Sequence, residues 1–90
     1  MRILVICRPR DGVTGAEIAA RAPDEMADLA RLRADGILAE AYSPGGPGAI
    51  LIFQDSRARV DSAVASLPLA LAGLIDTEII ELLRFAGLTP

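Results

Sequence analysis

Apolar positions recur along this chain with two different periods, and the switches between them mark the elements. Arg2-Ile-Leu-Val-Ile-Cys-Arg8 is a β-branched run ending at Pro9, which predicts a first strand, with Asp11-Gly12 as the turn after it. Thr14-Gly-Ala-Glu17 has the spacing of a capping box, and Ile18, Ala22, Met26, Leu29 and Leu32 follow at helical intervals. Pro23 lies inside that pattern, so the helix is either kinked there or starts afresh, with its main segment from Pro23 to Asp35. Gly36 ends it as a left-handed cap. Ile37-Leu-Ala-Glu-Ala-Tyr42 reads as a second strand, with Leu38, Glu40 and Tyr42 on one face and the small Ala39 and Ala41 on the other. Ser43-Pro-Gly-Gly-Pro-Gly48 is a loop, and Ala49 to Phe53 is a third strand. Asp55-Ser56 caps a second helix whose buried stripe is Val60, Val64 and Leu67, with Pro68 near its end. Ile75 to Leu83 is the fourth strand, followed by a tail from Phe85 to Pro90.

The order strand, helix, strand, strand, helix, strand predicts a ferredoxin-like βαββαβ domain of the α+β class. It would be an antiparallel four-stranded sheet with two helices on one face, and one domain takes up residues 1–90. The first, third and fourth strands carry long apolar runs, whereas an antiparallel sheet with one wet face alternates apolar with polar residues. The face away from the helices is therefore expected to be covered as well, by the same sheet of a second copy in a two-fold dimer whose sheets close toward a barrel.

Composition supports the need for a partner. A chain of 90 residues buries roughly 60% of the surface exposed when unfolded, which leaves its own core marginal. One cysteine, Cys7, excludes an internal disulfide, and the lack of histidine weakens a zinc site, so oligomerisation is the remaining source of stability. A hydrophobic content of 52% with few aromatics and a mean hydropathy of +0.42 describes an aliphatic, extended apolar surface. The net charge of −3 and the scattered arginine pairs Arg8/Arg10 and Arg31/Arg33 argue against nucleic acid as a partner. No signal peptide is apparent, and Pro68 and Ser66 interrupt the longest apolar stretch, Ala63 to Ile75, so the expectation is a soluble cytoplasmic protein with no membrane contact.

Several of these residues together resemble the muconolactone isomerase-like family of small dimeric α+β barrels. The resemblance runs from Glu25 to Leu83 and rests on Glu25, Leu29-Ala30, Leu32 and Gly36 in the first helix and on the third strand ending in Phe53. It continues through Ser66-Leu-Pro-Leu69 and Ile75-Asp-Thr-Glu78-Ile79. It implies a homodimer or a higher assembly, up to the decamer of the isomerase itself. It also implies a small-molecule pocket between sheet and helices, with no metal and no organic cofactor. Where the isomerase is rich in Trp, His and Arg along its second strand, this chain has Ile37-Leu-Ala-Glu40-Ala-Tyr42-Ser43. The polar groups that would hold a carboxylated lactone are largely missing, so activity on muconolactone does not carry over.

The resulting functional expectation is a cofactor-independent isomerase or cyclase acting on a small hydrophobic oxygenated substrate. The alternatives are a noncatalytic binding or assembly module and, third, a cofactor-free monooxygenase. Moving a proton between carbons needs a base whose pKa burial has raised and a donor to the enolate. Glu40, Glu78 and Glu81 stand in predicted strands among apolar neighbours, with Glu78 and Glu81 on opposite faces, and Tyr42 shares a face with Glu40. Glu40, Glu78 and Tyr42 are thus the catalytic candidates, and Arg8, Glu81 and Phe53 the substrate-binding ones. The competing reading of each carboxylate is a salt bridge with Arg8, Arg10 or Arg84, and of Tyr42 a rim aromatic at a subunit interface. Cys7 reads as a small core residue, and the Gly45-Gly46-Pro47-Gly48 loop, with no lysine and no helix after it, as a mobile connection or pocket lid.

Overall fold

In the computed structural model, which describes residues 1–88, the chain forms β1 (Arg2–Pro9), α1 (Gly15–Ala34), β2 (Leu38–Tyr42) and β3 (Ala49–Gln54). These are followed by α2 (Arg57–Ala65), α3 (Pro68–Leu71) and β4 (Ile75–Leu82). The strands make one antiparallel sheet in the order β2-β3-β1-β4, the ferredoxin-like arrangement that the element order predicts. The last two residues of the expected tail lie outside the described residues. Among the described residues no helix is long and apolar enough to cross a membrane.

Register sorts the strands into two faces. Ile3 opposes Phe53, Val5 opposes Leu51 and Cys7 opposes Ala49 on the face that carries the helices. With Leu32 and Leu38, and with Val60, Val64 and Leu67 of the second helical region, they form the dry core. The opposite face presents Leu4, Ile6, Ile50 and Ile52, which are only partly buried, beside Ile80 at 38% and Leu82 at 40% exposure.

α1 begins at the expected capping box, in which the Thr14 hydroxyl accepts from the Glu17 amide at 3.2 Å and the Glu17 carboxylate accepts from the Thr14 amide at 3.1 Å. It ends in a Schellman turn: Gly36, at φ +78°, donates to the Arg33 carbonyl and Ile37 donates to the Leu32 carbonyl. Between those caps the helix passes through the exposed Pro23 without dividing. Proline removes the donor that would serve the Ala19 carbonyl, and because Ala19 is itself exposed, water can serve it instead.

Two features depart from the sequence pattern. A β-bulge between Leu38 and Glu40 places Leu38 opposite Phe53 and Glu40 opposite Ile52. Leu38 and Ala41 thereby face the core while Glu40 and Tyr42 face away, so the simple alternation of Leu38 with Glu40 and Tyr42 is broken. The second helical region is also two helices, because α2 stops at Ser66 and Pro68 opens the single turn of α3. Pro68 is at ease in a first turn, where no amide is needed, and this makes it a start rather than an end.

Candidate functional site

The acids singled out from the strands are exposed and paired. Glu40, on the outer face, accepts from Arg2 at 2.7 Å and from the Tyr42 hydroxyl at 2.6 Å. The Tyr42 bond and the Arg2 charge hold the Glu40 carboxyl below its ordinary range, and the same bond raises the Tyr42 hydroxyl. A tyrosine already donating to a carboxylate has no hydrogen left for an enolate. Glu78, also outward, is bridged by Arg8 at 3.1 Å. Glu81 does lie on the opposite face, across from Ile3, but it is exposed at the sheet margin and lies 3.9 Å from Arg57. Arg8 is therefore engaged by Glu78, and Phe53 is wholly buried in the core with no surface to offer a ligand. The expectation that one of these strand carboxylates leans into an apolar interior is corrected by their ion pairs, which keep all three near water.

The interior carboxylate belongs to α1 instead. Glu25 is 9% exposed, and its Oε1 accepts a hydrogen bond from the Leu69 amide at 3.0 Å. That amide lies in the first turn of α3, where helical N–H groups have no partner within the helix. Two short stretches distant in sequence, around Glu25 and around Leu67-Pro68-Leu69, thus meet at one bond. Burial raises the Glu25 carboxyl above the usual carboxylate range, the Leu69 bond opposes that shift, and the nearby Asp28 charge adds to it.

Glu25 lines a cavity of about 160 Å3 between α1, α3 and the end of the sheet, together with Cys7, Pro9, Ile18, Leu69 and Ile75. Among the described residues no arginine lines it, and Glu25 is the only charged side chain that does. Cys7 is 5% exposed, and burial, with the Glu25 charge behind it, pushes its thiol up to about 11. It keeps its proton at neutral pH and offers a weak S–H donor. Among the described residues no three acidic or cysteine side chains come together as a metal site would require.

Beyond Met26, Leu29, Gly48 and Ala49 the cavity adjoins an apolar groove of about 450 Å3 between α1 and the β2–β3 pair. Gly48, at φ +112°, passes so close to the Cys7 carbonyl oxygen that a Cβ there would collide with it. The end of the Pro/Gly loop is thereby tied to β1 at the junction of cavity and groove.

The helical pattern held a signal for Glu25 that stepping from Ala22 to Met26 passes over. Glu25 is three residues after Ala22, four before Leu29 and seven before Leu32, a core spacing, whereas Met26 is 64% exposed. An acid in a core register is the informative exception to burial by hydrophobicity.

Sheet order, helices on one face and a pocket under the first helix define the class: a ferredoxin-like α+β domain with a small-molecule-sized cavity. Within that class the chain has the muconolactone isomerase-like fold. It superposes on muconolactone isomerase with a TM-score of 0.73 and 21% identity, over 97% of this chain and 93% of that one. It superposes on 5-chloro-2-hydroxyhydroquinone dehydrochlorinase from Burkholderia phenoliruptrix AC1100, in complex with 2,5-dihydroxybenzoquinone, with a TM-score of 0.66 and 22% identity, over 94% of this chain and 96% of that one. No family model and no curated protein matches the sequence.

Proposed function

We propose that this chain is a cofactor-independent enzyme that moves a proton on a small, apolar, oxygenated substrate, an isomerase or cyclase with Glu25 as its base. The observation that carries the reading is a nine-tenths buried carboxylate, anchored through one oxygen by a backbone amide and facing no cation, on the wall of an apolar cavity. Buried acids without a partner are costly to keep, and enzymes use that burial to raise a base toward the pH of use. The Leu69 bond fixes the carboxyl group, so the other oxygen can take a proton from a carbon next to a carbonyl and return it to a different carbon of the same substrate. Protons balance within one turnover. Cys7 is the lining side chain able to donate toward the enolate oxygen. Two structural neighbours are, by name, an isomerase and a dehydrochlorinase, which fits a small oxygenated substrate.

The same reading includes a homodimer through the outer sheet face. Leu4, Ile6, Ile50, Ile52, Ile80 and Leu82 form an aliphatic patch with the Arg2–Glu40, Arg8–Glu78 and Arg10–Asp76 pairs around it, an apolar centre with a polar rim. Pairing through that face leaves the Glu25 cavity, on the helix side, in each subunit.

The test is double-bond migration in an uncharged β,γ-unsaturated butenolide, followed by ultraviolet absorbance. Wild type is expected to accelerate it, and Glu25→Gln to lower the rate by at least roughly a hundredfold, the usual contribution of a general base. Glu40→Gln and Glu78→Gln are expected to leave the rate near wild type. Equal rates for wild type and Glu25→Gln would favour the noncatalytic binding module.

A further inference from the structure

We infer that the substrate is an elongated amphiphile: its uncharged reacting end enters the Glu25 cavity, its apolar body lies in the groove along α1, and an anionic group at its far end meets Arg33. The inference rests on the Glu25 reading and adds the substrate class to it. Cavity and groove adjoin, and Met26, Leu29, Gly48 and Ala49 line both. A cavity of about 160 Å3 holds a small ring or a short chain, so a larger molecule must extend into the groove of about 450 Å3. The groove wall is aliphatic, with Leu29, Ala30, Leu38, Ala41 and Leu51, and contains no acid. Charge is distributed unevenly along this path. The inner end carries the Glu25 carboxylate with no cation among the lining residues, and repels an anion there.

Away from Glu25, toward the C-terminal end of α1, the groove is lined by Arg33. Arg31 is taken by Asp28 and Asp35, but Arg33 makes no ion pair among the described residues, and its guanidinium is free to donate to a carboxylate or a phosphate. Glu25 and Arg33 are eight residues apart on one helix, so the axial rise separates them by about 12 Å, the length of an extended chain of about ten carbons. A compact anion such as a carboxylated lactone cannot satisfy both ends. A long one can.

Calorimetric titration of the full chain with butanoate, octanoate and decanoate, and with the alcohols of matching length, tests this. Affinity is expected to rise by at least roughly tenfold from butanoate to decanoate as apolar surface enters the groove. Decanoate is expected to bind several-fold more tightly than decanol, and Arg33→Gln to abolish that advantage while leaving decanol binding as it was. A flat affinity across the series, no binding by any member, or an Arg33→Gln variant that still prefers decanoate would each overturn the proposal. None of these results bears on Glu25, which the butenolide assay tests separately. Probe affinity that rises in Phe85→Ser would place the exposed C-terminal segment of a second copy in the groove, and would overturn it too.

Discussion

The outer face of the sheet and α1 on its other side hold their acids in opposite surroundings. On the outer face Glu40 and Glu78 lie beside Arg2 and Arg8, and the ion pairs are exposed to water. On the helix side Glu25 has a backbone amide and no arginine. An exposed pair costs little and contributes little, whereas an unpaired acid in the interior opposes folding each time it ionises. The outer acids border an apolar patch in water, and Glu25 is buried on the wall of an apolar cavity.

The largest effect is expected where the inner face is emptied. Phe53→Ala removes a side chain with no exposure and should cost about 3–5 kcal/mol, enough to unfold much of so small a domain, as denaturant titration would show. Next comes the outer face. Ile52→Asp or Ile6→Asp should abolish association and forfeit about 1.5–3 kcal/mol of apolar burial, leaving an unfolded or aggregated chain. Wild type sedimenting as a folded 9.4 kDa species at micromolar concentration would defeat the dimer.

A pH series sharpens the comparison further. The folded-state pKa of Glu25 is raised above 4.5, so the stability of its protonated form is complete below that value and is lost as pH rises through the folded pKa. Glu25→Gln, which keeps an acceptor for the Leu69 amide, should therefore melt higher than wild type at pH 8, with the gap closing near pH 4. Asp28 on α1 and Cys7 on β1 are the titratable neighbours, and Cys7, at about 11, stays neutral over this range. A gap that widens toward acid would show that Glu25 is stabilised as the anion. The smallest effect is expected at the rim, where Arg8→Gln should change stability by about 0.2–1 kcal/mol, and less in high salt.

Local chemistry and period alone determined much of this protein. The capping box at Thr14, the left-handed Gly36, the apolar strand runs and the order of elements are all interactions between residues close in sequence, and each leaves a pattern there. The assignment of acids to surroundings was not decided at that level. Glu40, Glu78 and Glu81 have apolar neighbours along the strand, but their actual surroundings are Arg2, Arg8 and Arg57, brought across the sheet or from α2. The bulge that turns Leu38 inward and Glu40 outward depends on pairing with β3. Glu25 is made a buried acid by α3, 44 residues further on, whose Leu69 amide needs an acceptor that a one-turn helix cannot supply. Burial and desolvation are sums over everything packed around a group, and only the tertiary structure decides which residues those are.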